Sequence, residues 1–278
     1  MAIQNKVKQL VRFFRPYEYS ALRRYLEPRR FHAFCIGTNK SGTHSVASMF
    51  EKNYRAAHET DHARLINGCI DWKSGNTTEE EFLTTLKDYD KFSWLELDSS
   101  HVHLEYLDLL LKLHPKAKFI LTIRDCYSWA DSCFNHFLNY KLYDSWKNLH
   151  DWRYGRIVQP YSLEQEKILT DNGLYPLENY FIAWAEHNTK ALQLIPENRL
   201  IVVKTFDIKK SSDKLADFLN IPASSINIQQ SHSFKAPQKH NLLAHIDTNY
   251  IREKAEKHCG ELMEQFFADG DYLSKVIQ

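Results

Sequence analysis

The sequence predicts an α/β fold, a three-layer arrangement of a mostly parallel β-sheet flanked by helices. Two observations predict it. Short apolar runs alternate with longer segments of helical period, which is the pattern of βαβ units. Two of those runs also pass straight into turn-forming residues and then a helix, the kind of junction at which such sheets bind ligands.

The elements follow in chain order. Residues 1–30 read as a helical extension, with Lys6, Lys8, Arg12 and Arg15 set around Val7, Leu10, Val11, Phe13 and Phe14. Residues 31–36 (FHAFCI) form a first buried strand. Val46, Met49 and Phe50 mark the helix that follows its loop. Phe82, Leu83 and Leu86 share one side of a helix over 79–89, and residues 93–97 (SWLEL) read as a further strand. Leu104, Leu107, Leu110 and Leu111 define a helix over 102–113. Residues 118–123 (KFILTI) and 199–203 (RLIVV) are the remaining strands, and 177–195 and 250–267 are longer helices. The segment 136–180 fits the alternation poorly. It is rich in rings, among them Phe137, Tyr140, Tyr143, Trp146, Trp152, Tyr154, Tyr161, Tyr175 and Tyr180, and reads either as an insertion beside a substrate site or as a secondary core.

Bulk composition narrows the function. At 278 residues and 43% hydrophobic content the chain suits one large core, read as a single domain over 1–278. A net charge of +1 gives no global basic field, which argues against nucleic acid as a partner. No apolar run reaches membrane-spanning length. Five scattered cysteines do not make a disulfide framework, and a cytoplasmic, reducing compartment fits them. The sequence is silent on oligomeric state.

The first motif is Gly37-Thr38-Asn39-Lys40-Ser41-Gly42-Thr43-His44-Ser45, between a strand and a helix. A tight turn there aims backbone N–H groups and the helix dipole at one point, a geometry that binds phosphate. A triphosphatase loop needs Lys and then Ser or Thr directly after its second glycine, whereas Thr43 and His44 stand there. The stretch Lys40-Ser41-Gly42-Thr43 resembles the 5′-phosphosulfate loop of sulfotransferases that use PAPS (3′-phosphoadenosine 5′-phosphosulfate). The second motif strengthens the resemblance: Arg124 ends a strand and Ser132 lies eight positions on in the next helix, as in the pair that holds the donor's 3′-phosphate in that family. A guanidinium fork suits a phosphate dianion. A looser similarity covers 196–222 and the basic stretch containing Lys235 and Lys239, where the family sets a loop over the 3′-phosphate and adenine.

The resemblance implies a P-loop-like fold and transfer of a sulfuryl group from PAPS, leaving PAP, to a hydroxyl or amine of a small-molecule acceptor, without metal. It implies a donor site formed by Asn39, Lys40, Ser41, Gly42, Thr43, His44, Ser45, Arg124, Ser132, Lys235 and Lys239. Lys40 would stabilise the bridging oxygen as its bond to sulfur breaks. Some family members use a glutamate near Glu59 as base, and cytosolic ones keep a catalytic histidine near His101; both stay open. Two departures stand out: Ser45 occupies the region where many cytosolic members place an adenine-stacking tryptophan, and their glycine-rich basic loop is absent.

Three other readings compete. His58-Glu59-Thr60-Asp61-His62 matches the HExxH pattern of zinc peptidases, which on a helix would set both histidines on one face. KFILTIRD resembles a kinase strand ending in a magnesium-binding aspartate, and a protein that binds the nucleotide without catalysis would keep the same loop.

Overall fold

The computed structural model describes residues 21–157, 164–230 and 237–278. The basic N-terminal pattern, Tyr161 and Lys235 lie outside them.

The described chain runs α1 (Ala21–Leu26), β1 (Ala33–Cys35), α2 (Thr43–Phe50), β2 (Ala56–His58), α3 (His62–Lys73), α4 (Glu79–Ser93), β3 (Leu97–Ser99), α5 (Leu107–Leu113), β4 (Lys118–Ile123), α6 (Cys126–Asn139), α7 (Asp144–Gly155), α8 (Lys167–Asp171), α9 (Leu177–Leu194), β5 (Leu200–Lys204), α10 (Ser212–Leu219), α11 (Thr248–Phe267) and α12 (Tyr272–Ile277). The strands form one sheet in the order β2-β3-β1-β4-β5, with every pairing parallel. Ala33 is in register with both Leu97 and Lys118, so β1 is central. The α/β expectation holds.

Local chemistry sets the boundaries. Helix α4 opens on a capping box: Thr78 accepts from Glu81 N–H while the Glu81 carboxylate accepts from Thr78 N–H at 2.8 Å. Asp125 caps α6 by accepting from Ser128 N–H at 2.8 Å. Three expectations need correction. The strand read at 93–97 lies at Leu97–Ser99 instead. The helical period of Phe82, Leu86 and Tyr89 carries α4 on to Ser93, and Trp94 closes it at φ 46°. Glu96 is buried before the strand because Arg30 donates to it through its backbone N–H and side chain and Arg55 through its N–H. The helix read at 102–113 starts as a 3₁₀ turn over His103–Tyr106. Strand β2 was not foreseen; its three residues are half-buried and pair only with β3.

Helices cover both faces. One face buries Phe34, Leu86, Leu107 and Phe119, and the other buries Val46, Phe50, Ile120 and Leu215. A third cluster joins α6, α9 and α11 around Trp129, Phe134, Phe181 and Trp184. Each such ring removes about 150–250 Å² from water, worth about 4–6 kcal/mol before entropy is charged. Among the described residues, no helix is long and apolar enough to cross a membrane.

Candidate active site

The loop after β1 is built around close approaches. A Cβ on Gly37 would meet Thr122 Oγ1 at 1.9 Å and the Thr122 carbonyl at 2.4 Å, so only glycine lets the loop leave the sheet beside β4. Lys40 sits at φ 64° and Gly42 at φ 104°, and the chain turns sharply between them. The first helical bond of α2 runs from Val46 N–H to the Gly42 carbonyl at 3.1 Å. The earliest N–H groups of α2 therefore point back along its axis toward the loop, where they favour an anion. Ser41 serves the loop itself. Its buried hydroxyl donates to the Thr38 carbonyl at 2.6 Å and bonds Thr122 Oγ1 at 2.8 Å, so its side chain does not line the cavity described next.

Strand β4 delivers Arg124 to the same place. Arg124 Nε donates to Ser128 Oγ at 2.8 Å, and Ser128 Oγ donates in turn to Asp125. The second arm of the guanidinium donates to the Lys40 carbonyl at 3.3 Å. One cavity of about 840 Å³ is lined by Asn39, Lys40, Gly42, Thr43, His44 and Ser45 and also by Arg124, Ser128 and Ser132. The two motifs thus share one wall. Helix α9 fixes both strand ends from below: Trp184 Nε1 donates to the Arg124 carbonyl at 3.0 Å, and His187 Nε2 bonds the Ile36 carbonyl at 2.7 Å.

Glu59 and His101 line the same cavity. Glu59, at φ 55°, follows β2, and its Oε1 lies 3.3 Å from His101 Nε2 and 3.6 Å from His58 Nε2. Burial pushes the Glu59 carboxyl up to about 7, against the pull of Arg153 and Lys40. Burial and then Arg153 hold His101 well below the usual histidine range. Burial also lowers the Lys40 ammonium. Arg153 of α7 donates to His101 Nδ1 at 3.1 Å and to Glu105 at 2.6 and 2.9 Å. Phe137, Tyr140, Tyr143, Trp146 and the buried Tyr154 also line the cavity, while Tyr180 is fully buried away from it.

Residues 32–234 match the family model of a sulfotransferase domain. The chain belongs to the sulfotransferase family. Its fold is shared by a solved sulfotransferase from Mycobacterium avium, 11% identical, with a TM-score of 0.52 over 90% of this chain and 80% of that one. A sulfotransferase from Alicyclobacillus acidocaldarius is 14% identical, with a TM-score of 0.47 over 89% of this chain and 95% of that one. No curated protein matched the sequence.

Family membership removes the support for the kinase reading, and the geometry corrects the HExxH reading. In this sulfotransferase the five residues are not helical: His58 ends β2, Glu59 and Asp61 are left-handed, and His62 only begins α3. His58 Nε2 instead bonds Thr43 Oγ1 at 3.1 Å. Among the described residues, the one cluster with metal-ligand spacing is His32, Asp90 and His114. It sits at the opposite end of the sheet, where Arg29 already holds Asp90 in an ion pair at 2.5 Å.

Of the residues read from sequence, Lys239 does not line the cavity; it lies near Asp131 on α6. Further contributors were missed, among them Ser128, whose hydroxyl bridges Arg124 and Asp125 on the cavity wall. Thr205 donates to the Ser41 carbonyl at 2.6 Å and the Ile123 carbonyl at 3.1 Å, tying the end of β5 to both motifs. Phe206 is 52% exposed on the cavity wall. Arg153 lay hidden in a segment noticed for its rings. Phe206, an aromatic two positions past the end of β5, was the one that the sequence pattern could have flagged.

Proposed function

We propose that this sulfotransferase takes its sulfuryl group from PAPS and places it on a hydroxyl or amine of a small-molecule acceptor. The observation that carries the reading is the shared wall: Arg124 reaches the Lys40 carbonyl at 3.3 Å, so two anion-suited groups open on one cavity. A doubly phosphorylated adenosine needs such a pair. The α2 N-terminus and Lys40 would hold the 5′-phosphosulfate, and Arg124 with Ser128 and Ser132 the 3′-phosphate. Phe206 offers a ring face to the adenine in place of the missing tryptophan. A cavity of about 840 Å³ leaves room for an acceptor against Phe137, Tyr140, Tyr143 and Trp146, walls that favour an apolar body around the reacting group. Lys235 and Lys239 remain candidates for covering the nucleotide.

The acceptor heteroatom attacks sulfur as the sulfur–oxygen bond to the 5′-phosphate breaks. Its proton passes to a base, either Glu59 or His101, and PAP departs. Lys40 stabilises the oxygen that takes up the leaving charge. No step calls for a metal. The five cysteines are buried thiols, which fits a cytoplasmic protein. The loop after β1 and the Arg124 turn open on one cavity, which fits a single domain.

Thermal shift tests the donor. PAP without metal should raise the melting temperature, and ATP with magnesium should do so much less. A PAPS turnover assay across phenols, alcohols and amines then tests transfer, with Lys40→Ala expected to lower kcat about 10²–10³-fold while PAP still stabilises the chain. Stabilisation by ATP–magnesium but not PAP would overturn the assignment.

A further inference from the structure

We infer that Arg153 fixes His101 as its Nε2–H tautomer and thereby makes Glu59, rather than His101, the group that accepts the acceptor's proton. The inference rests on the sulfotransfer reading above for its catalytic half, and on hydrogen-bond chemistry alone for its tautomer half.

An arginine side chain carries donors and no acceptor. Arg153 lies 3.1 Å from His101 Nδ1, so Nδ1 must present a lone pair. A neutral imidazole then carries its one proton on Nε2, which faces Glu59 Oε1 at 3.3 Å. Doubly protonated imidazole would set an N–H against the Arg153 N–H and a positive charge beside a guanidinium. Both ring nitrogens are therefore closed to an incoming proton: one is covered by a donor and the other is already occupied. Glu59 keeps lone pairs at the cavity.

The arrangement is held from behind. Arg153 is 7% exposed, and Glu105 accepts from its Nε and from one terminal nitrogen at 2.9 and 2.6 Å. That pairing compensates the buried charge and fixes the plane of the fork. Arg153 and Glu105 are thus positioning residues, acting through His101 on Glu59. The charged and titratable groups around the pair come from every neighbouring element: Lys40 from the phosphate loop, His58 from β2, Arg153 from α7, His136 from α6 and His187 from α9. In the step itself, the acceptor O–H or N–H proton moves to the Glu59 carboxylate as the new bond to sulfur forms and the old sulfur–oxygen bond breaks. Glu59 returns the proton to water after PAP leaves.

Nitrogen-15 NMR of the histidine rings in the full chain tests the tautomer without any reaction. The His101 ring is assigned by its loss in His101→Gln or by its contact with the Trp146 ring, 5.4 Å away. The expected species at neutral pH is Nε2–H; an Nδ1–H ring or an imidazolium would overturn the inference. Kinetics test the role. Glu59→Gln should lower kcat about 10²–10⁴-fold. His101→Gln, whose amide still donates, should lose about 10-fold or less, close to the worth of one hydrogen bond. The charge-balanced pair Arg153→Met with Glu105→Gln should keep stabilisation by PAP, move the acid limb of the kcat/KM profile to higher pH, and release the tautomer preference. Equal losses for Glu59→Gln and His101→Gln would defeat the assignment. Failure to bind PAP would count against the donor reading and leave the NMR result standing.

Discussion

At the scale of single residues, the site spends stability to prepare chemistry. Glu59 shows this most directly. Its folded-state value of about 7 lies above the ordinary 4.5 because burial opposes the charge. Between those pH values the folded chain holds a proton that the unfolded chain has released, so stability falls as pH rises through the window. Above about 7 the whole penalty is present; below about 4.5 it is gone. The Glu59 side chain is only 21% exposed, so water screens the effect incompletely. Glu59→Gln should therefore be more stable than the native chain at pH 8, by roughly 1–3 kcal/mol, with the gap closing near pH 4.5. Denaturant melts at the two pH values measure it. A destabilised variant at pH 8 would mean that the carboxylate is held by partners that outweigh its burial.

At the scale of elements, the cap of α6 links helix stability to anion recognition. Asp125 accepts from Ser128 N–H, and the Ser128 hydroxyl passes between Asp125 and Arg124 Nε. Asp125→Ala should cost about 1 kcal/mol through the lost cap and also loosen Arg124, weakening PAP binding more than a distant mutation of equal cost. Asp125→Asn, which still caps, should recover most of both, as read by melting temperature and PAP titration. This junction and the loop after β1 were legible in the sequence. Each couples an apolar run to a short, chemically distinctive turn, and both sit where local rules dominate. Strand β2 was not legible, because three half-buried residues pairing on one side leave no apolar run. Strand β3 was displaced in the reading because Asp98 and Ser99 are polar yet buried. Tyr89 donates to Asp98 at 2.8 Å, and Ser99 Oγ donates to the Thr43 carbonyl at 2.8 Å. Arg153 was illegible for another reason: its partners are 48 and 52 positions away, and only the packing of α7 against the body of the fold brings them together.

At the scale of the whole molecule, the strand order makes one site of two distant motifs. From β1 the chain builds β2 and β3 to one side of the sheet, then crosses to place β4 on the other. The crevice where the direction of building reverses lies at the carboxyl ends of β1 and β4, where such sheets bind ligands. The loop after β1 and the Arg124 turn after β4 are its two lips. Helix α9 bonds the Arg124 and Ile36 carbonyls, and Thr205 bonds the Ser41 and Ile123 carbonyls, so neither lip is anchored by its own strand alone. A nucleotide gripped by both lips must then quiet both when it binds. Hydrogen exchange of the full chain with and without PAP should show protection rising together over 38–46 and 124–132, by up to about 100-fold at a ligand concentration of 100 Kd. In Arg124→Ala, at equal fractional occupancy, protection should persist in the first segment and drop in the second. Protection confined to the first segment in the native chain would show that the nucleotide does not span the crevice, and the two-lip reading of the fold would fail with it.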